Sequence, residues 1–130
     1  MSVRHIEKAF EDDRGSITDI LEDEIVEHVT LITTAKGAVR GNHVHHQTHQ
    51  FVYIVSGALR YVTRDDAGAV ERGVVRAGDV LSTGPMDSHA VEAIEDTTMV
   101  VMTRGPRGGR EYESDTFRLQ APLIAEGVRP

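Results

Sequence analysis

Apolar and polar residues alternate with a period of two in short runs along most of the chain. A period of two places successive side chains on opposite faces of a β-strand. The runs with this pattern or a β-rich composition are residues 1–10, 16–21, 26–34, 51–55, 58–63, 70–76, 80–81, 89–94 and 97–103. The pattern predicts a β-strand in each run, and it shows no helical periodicity of useful length before residue 119.

Turn-forming residues separate these runs. Glycine combines with small or polar residues at 12–16, 35–37, 64–68 and 77–79, and such residues favour tight turns. Short strands separated by turns about every eight to twelve residues predict a sandwich or a barrel. We therefore expect an all-β fold with a barrel over residues 1–118. The tail, 119–130, is expected to pack on the barrel or on a partner subunit through Leu119, Leu123 and Ile124.

The length and the net charge of the chain indicate a single domain and argue against one class of partner. A chain of 130 residues suffices for one domain with a real core. The formal net charge of -7 argues against nucleic acid as a partner, because nucleic acid binds clustered Lys and Arg.

The expected cellular location follows from the absence of cysteine and of long apolar stretches in the sequence. The chain has no cysteine, so neither disulfides nor thiolate chemistry are available. No stretch approaches the roughly 18 apolar residues of a membrane span, and no signal peptide is evident. We expect a cytoplasmic protein that does not bind membranes.

Histidines are concentrated in residues 37–57, which read GAVRGNHVHHQTHQFVYIVSG. His43 and His45 share one face of the predicted strand. Two imidazoles side by side can bind one metal ion, or one can act as a base that the other orients. A third histidine, His89, follows a Gly84-Pro85 turn in residues 78–93. Two close histidines and a distant third indicate a metal site inside a barrel.

These two stretches resemble the paired motifs of the cupin superfamily, G-x5-H-x-H-x(3,4)-E-x6-G and G-x5-P-x-G-x2-H-x3-N. The matching positions are Gly37, His43, His45, Gly57, Gly78 and His89. Gln50 stands at the place of the motif's Glu, and the Pro, Gly and Asn places of the second motif are also changed. The resemblance implies an antiparallel double-stranded β-helix, the cupin jelly-roll barrel.

The resemblance also implies one divalent ion, Zn, Fe, Mn or Ni, bound by His43, His45 and His89. Either Gln50 or His49 would be the fourth ligand, because neighbouring residues of a strand point to opposite faces. Counting back from Gly57 favours Gln50. His46 is interpreted as a solvent-facing neighbour.

The segment around Arg40, RGNHVH, is similar to the nucleotide-sugar cupins, whose ketoisomerases read RGxHAHK. This similarity implies a nucleotide-linked 4-keto sugar as substrate, with Arg40 binding its pyrophosphate. The metal-free isomerases of this group use the first histidine as acid and base. Because His89 is present, the chain looks closer to the metal-binding branch, and the two mechanisms compete for His43.

The expected activity is therefore metal-dependent isomerisation or epimerisation beside a sugar carbonyl, in a homodimer. A metal-dependent oxygenase and a non-catalytic small-molecule-binding cupin are the alternatives. The general base is not assigned. Tyr53, Tyr61 and Tyr112 are possible proton donors. Tyr53 lies in the apolar strand and faces away from Gln50, so it is interpreted as a core residue. A phosphate clamp by Arg104, Arg107 and Arg110 is a further hypothesis.

Overall fold

The computed structural model describes residues 2–106 and 114–126, which form twelve β-strands and, within these ranges, no α-helix. The strands are Val3–His5 (β1), Phe10–Asp12 (β2), Gly15–Ile17 (β3), His28–Thr34 (β4), Val39–Val44 (β5), His49–Ser56 (β6), Ala58–Arg64 (β7), Val70–Arg76 (β8), Asp79–Thr83 (β9), Ser88–Ala93 (β10), Thr97–Arg104 (β11) and Phe117–Arg118 (β12). None of the described residues belongs to a helix long and apolar enough to cross a membrane.

The strands form two antiparallel five-stranded sheets and a small hairpin. The first sheet has the order β1-β9-β6-β11-β4, the second has the order β12-β5-β10-β7-β8, and β2 pairs with β3. This topology confirms the all-β jelly roll. The two sheets remain separate in their hydrogen bonding, so the expected barrel is a sandwich of two curved sheets rather than a closed ring.

The core lies between the two sheets. Ile54 and Val101 of the first sheet pack in one cluster with Leu59 and Val75 of the second, and all four are at most 2% exposed. Burial of such side chains on both inner faces is the main force that holds two sheets together.

Two predicted strands near the N-terminus are wrong in extent. Residues 1–10 contain β1 and the start of β2 with an irregular link between them, and the strand predicted over 16–21 ends at Ile17. Ile20 and Leu21 instead cover the outer face of the first sheet, packing against a cluster that contains Phe51. An isolated apolar residue that covers a sheet resembles a strand residue in sequence, which explains the difference.

The C-terminal segment lies along the second sheet. β12 pairs with β5, and Ile124, which is 3% exposed, packs on Val62 and Ala90. The amide of Asn42 bonds to the backbone of this segment, donating to Ile124 O at 2.8 Å and accepting from Leu123 N at 2.8 Å. The strand that carries His43 is therefore held on its outer side by residues far along the chain. Residues 127–130 of the predicted tail lie outside the described residues.

Candidate metal and substrate site

A β-bulge organises the site. In the antiparallel pair of β5 and β10, His43 lies opposite His89, but Gly41 lies opposite Ala90, so the register shifts between them. Asn42 is the extra residue. Both Gly41 and Asn42 have positive φ, 91° and 57°, which is the backbone conformation that bulges of this kind require.

The bulge brings Arg40 and His43 to the same cavity, with Arg40 at its exposed rim. Arg40 pairs with Val91 and His43 pairs with His89, and all four residues line one cavity between the sheets. Simple alternation would place Arg40 and His43 on opposite faces. Gly41 permits the close approach of the strands, since a Cβ there would lie 2.8 Å from the backbone oxygen of His89.

The three histidines predicted as ligands converge. One ring nitrogen from each of His43, His45 and His89 lies within 4.8 Å of the others. The ring centroids are 4.6 to 5.3 Å apart. His45 and His89 are buried and His43 is half-buried. Three imidazoles from two strands and a turn thus surround one point inside the sandwich.

A hydrogen bond sets the tautomer of His45. Its Nδ1 lies 2.8 Å from the backbone oxygen of Asp115. Because a carbonyl oxygen only accepts, Nδ1 carries the proton and Nε2 of the neutral ring keeps its lone pair. Metal-binding histidines are commonly oriented by a bond of this kind.

Asp115 also organises the turn after His45. Its buried carboxylate accepts hydrogen bonds from the backbone N–H groups of His46, Gln47 and Thr48 and from the Thr48 hydroxyl, at 2.8 to 2.9 Å. Burial raises the pKa of Asp115, but these four bonds outweigh it and hold the pKa below its ordinary value. Sequence analysis missed this residue because no motif connects it with the histidines.

The structure places Gln50, not His49, beside the histidines. The Gln50 side chain is 7% exposed and lines the same cavity as His43 and His89. Its Oε1 is buried and has no hydrogen-bond partner among the described residues. The hydroxyl of Thr83, directly opposite Gln50 on β9, is buried without a partner in the same way.

His49 lies on the outer face of β6. Arg104 donates to its Nδ1 at 2.9 Å, and its Nε2 lies 3.1 Å from Ser82 Oγ. The ring also stacks on Phe51. Burial and the positive charge of Arg104 lower the pKa of His49. His49 is thus committed to a different network and does not face the three histidines.

Arg40 lines the cavity with a fixed guanidinium. Its Nε donates to Thr34 Oγ1 at 2.9 Å and its Nη2 donates to Thr33 O at 3.0 Å. Among the described residues, no carboxylate forms an ion pair with it. The cavity itself is small, about 60 Å³. Apart from Arg40 and the polar residues near the histidines, its walls are apolar: Ile32, Val52, Leu59, Leu81, Val91, Met99 and Val101.

The tyrosines predicted as proton donors are placed elsewhere. Tyr53 packs half-buried in the outer-face cluster with Phe51. Tyr61 is buried in the core, and its hydroxyl bonds to Glu71; burial and Glu71 raise its pKa. Neither lines the cavity, and Tyr112 lies outside the described residues.

The remaining predicted residues also lie away from the cavity lining. Arg104 forms an ion pair with Glu24 at 2.6 Å. The exposed His46 stacks on Phe117 with the ring centroids 4.0 Å apart. Arg107 and Arg110, the other two members of the predicted phosphate clamp, lie outside the described residues. Arg104, the third, bonds to His49 on the outer face of β6.

The cupin domain family matches residues 30–103, which is more than half of the chain. The protein therefore belongs to the cupin family, as the histidine motifs indicated. No curated protein matches the sequence significantly.

Among solved structures, the fold is similar to enzymes that act on nucleotide-linked sugars. A sugar 3,4-ketoisomerase from Thermoanaerobacterium thermosaccharolyticum, in complex with TDP, superimposes with a TM-score of 0.71 at 19% identity, covering 92% of this chain and 89% of that chain. The dTDP-4-dehydrorhamnose 3,5-epimerase from Sulfolobus tokodaii gives 0.69 at 16%, covering 89% and 81%. The TDP-fucose-3,4-ketoisomerase from Campylobacter jejuni gives 0.72 at 11%, covering 88% and 86%. At these identities the similarity shows the fold.

Proposed function

We propose that this cupin is a metal-binding isomerase or epimerase that acts beside the keto group of a nucleotide-linked sugar. The observation that carries the proposal is the convergence of His43, His45 and His89 on one point next to the buried amide of Gln50. Three neutral imidazoles and an amide oxygen suit Zn, Fe, Mn or Ni.

The residues fit such an ion. His45 presents Nε2 as a lone-pair donor, because its Nδ1–H bonds to Asp115 O. The Gln50 Oε1 is a buried acceptor with no partner among the described residues, which a cation would supply. When bound, a divalent ion would polarise the keto oxygen of the substrate and lower the pKa of the adjacent C–H.

Arg40 would bind the anionic part of the substrate. Its guanidinium is fixed by Thr34 and Thr33, has no carboxylate partner in the described ranges, and lies at the wall of the same cavity. A guanidinium of this kind suits a pyrophosphate. A cavity of about 60 Å³ is smaller than the roughly 300 Å³ of typical ligand pockets. Only the reacting end of the sugar would therefore enter, and the nucleotide would remain outside.

The structural similarities support this substrate class. Two of the similar enzymes are sugar 3,4-ketoisomerases and another is a 3,5-epimerase. One such ketoisomerase structure contains TDP-4-keto-6-deoxyglucose. We infer that this chain acts on a related keto sugar.

A metal-free isomerase is the second candidate, and one observation favours it. The described residues that line the cavity include no carboxylate, so His43 and His89 are the side chains of the lining that could act as the base. If all three histidines bind an ion, the base must come from outside this lining. If His43 acts as the base instead, it is unavailable as a ligand, and activity needs no ion.

Deuterium exchange tests both candidates. Protein purified without a nickel-affinity step is incubated in D2O with TDP-4-keto-6-deoxyglucose, and exchange at the carbon beside the carbonyl is followed by NMR. The first candidate predicts bound metal by elemental analysis, and exchange that a chelator abolishes and the metal restores. Exchange that survives the chelator would favour His43 as the base. No exchange in either state, or consumption of O2 with the sugar, would contradict both.

We further propose that the protein is a homodimer through β4, the edge strand of the first sheet, and its exposed apolar side chains. β4 is an edge strand whose outward residues Val29 and Leu31 are 68% and 69% exposed. An edge strand with apolar exposed residues is prone to pairing with another chain. A second copy that presents the same strand would cover both edges through a two-fold interface.

A further inference from the structure

We propose that the hydroxyl of Thr83 hydrogen-bonds an oxygen of the substrate, either a hydroxyl or the carbonyl, inside the cavity. This inference rests on the proposed function and adds a binding residue to it. Thr83 is 3% exposed, lines the cavity with His43 and His89, and has no hydrogen-bond partner for its Oγ1 among the described residues.

Three other buried threonines, Thr34, Thr48 and Thr97, have hydrogen-bond partners for their hydroxyls. The Thr97 hydroxyl bonds to the backbone of Ala58 and Glu95, and the Thr48 hydroxyl donates to Asp115. Thr34 Oγ1 accepts from Arg40. In these three cases the buried hydroxyl is satisfied within the protein, in contrast to that of Thr83.

The residues around Thr83 are mostly apolar, so an apolar side chain would suit this position in the fold. Leu81, the nearest residue of β9 on the same face as Thr83, is apolar and buried and lines the same cavity. Valine has the shape of threonine and favours strands, so it would fill the same place without a buried polar atom. A hydroxyl that is buried without a partner costs stability, and this cost is offset only when something bonds to it.

The position of Thr83 indicates what that partner is. Thr83 lies directly opposite Gln50 in the β6–β9 pair, and both residues line a mostly apolar cavity. In the proposed function Gln50 binds the ion, which leaves the Thr83 hydroxyl for the ligand. A hydroxyl both donates and accepts, so it matches the carbonyl and hydroxyl oxygens of a keto sugar.

The test is Thr83→Val, with Thr83→Ser as the conservative variant and Thr97→Val as the matched control. Without substrate, T83V is expected to keep its Tm or to gain up to about 5 °C, because a buried hydroxyl without a partner is removed. T97V is expected to lose about 5 °C or more, because its hydroxyl has backbone partners.

With TDP-4-keto-6-deoxyglucose as the probe, calorimetry is expected to show binding to T83V weaker by about tenfold, which corresponds to the loss of one hydrogen bond. T83S is expected to bind within about threefold of the wild type. The metal content of all three proteins should be equal, because Thr83 is not assigned as a ligand.

The possible results separate this inference from the function on which it rests. If wild type binds the probe and T83V binds it equally well, the inference is wrong and the function stands. If T83V is less stable than wild type, the hydroxyl serves the fold, for example through a buried water, and the inference is also wrong. If wild type does not bind the probe, the proposed function fails, and the inference fails with it.

Discussion

The two faces of β6 present two very different histidine environments, although His49 and Gln50 are neighbours in sequence. On the outer face, His49 is bonded to Arg104 and Ser82, with Phe51 beneath its ring. On the inner face, Gln50 lines the same cavity as His43 and His89, two of the three clustered histidines. The outer imidazole has both nitrogens committed to the protein, whereas the inner ring nitrogens face one another. Two residues that are adjacent in sequence can therefore belong to different sites. The alternation of the strand determines that Gln50, and not His49, lines the cavity.

The strongest test of this difference removes one histidine from the inner cluster and, separately, the histidine of the outer network. His45→Ala is expected to lower metal affinity by at least about 100-fold, since one of the proposed ligands is lost. His49→Ala is expected to leave the affinity within about threefold, because this ring lies on the other face. Titration with Co²⁺, followed by visible absorption, measures both. Equal losses in the two variants would contradict the assignment of inner and outer faces.

Asp115 is expected to affect the inner cluster indirectly, because it holds His45 and the following turn in place without being a proposed ligand itself. Asp115→Ala removes four hydrogen bonds to a buried carboxylate and is expected to destabilise the protein by about 2–4 kcal/mol. The loosened turn should also weaken metal binding by about 10- to 100-fold. Urea unfolding and the Co²⁺ titration measure the two effects.

The control for Asp115 is Glu24→Gln on the outer network, which removes an ion pair with Arg104 at the surface. It should cost less than about 1 kcal/mol and leave metal binding unchanged. If Asp115→Ala behaved like this control, the assigned role of Asp115 in holding His45 would be wrong.

The bulge can be tested with a pair of glycines that share one backbone conformation. Gly41 and Gly37 have φ of 91° and 87°, but a Cβ at Gly41 would lie 2.8 Å from His89 O, whereas nothing lies within 4 Å of one at Gly37. Both Ala variants should lose roughly 1 kcal/mol from the positive φ.

Gly41→Ala should lose about 1–2 kcal/mol more than Gly37→Ala because of the close contact. It should also weaken metal binding, since it separates the strands that carry His43 and His89. Equal losses of stability, measured by urea unfolding, would show that the close approach of β5 and β10 is not constrained as described.

The smallest expected effect on folding concerns the outer face of β4. Leu31→Lys should change the free energy of unfolding of one chain little, because the side chain is 69% exposed. It should, however, convert the proposed dimer to a monomer in light scattering. Val70→Lys on β8, where Val70 is 48% exposed, is the control and should remain dimeric. A wild-type protein that is monomeric at all concentrations would contradict the dimer.

Much of the fold could be predicted because strand alternation and turn residues are local signals. The strand that carries His89 falls where the period of two predicts it, and β6 begins within two residues of its predicted start. The prediction that His43 and His45 share one strand face is wrong, because β5 ends at Val44 and His45 lies in the turn that follows. The convergence of three histidines was predictable from motif spacing. The irregular N-terminal segment was not, because Ile20 and Leu21 cover a sheet without pairing in one.

The parts of the site that escaped prediction depend on contacts between distant residues. Nothing in the local sequence of Asp115 indicates that it bonds to the turn after His45. The bulge at Gly41 and Asn42 is visible only in the register of β5 against β10. The proposed role of Thr83 rests on the absence of a hydrogen-bond partner for its hydroxyl among the described residues, which cannot be predicted from the sequence.

The bond between His45 and Asp115 has a consequence for the order in which the molecule is made. The two residues are 70 positions apart. On the ribosome, all three clustered histidines leave the exit tunnel before Asp115 does. Until Asp115 docks, the turn after His45 lacks the carboxylate that accepts from its backbone N–H groups, and His45 Nδ1 lacks its acceptor. The arrangement of the histidine cluster should therefore be completed late, when the segment around Asp115 docks on the sandwich.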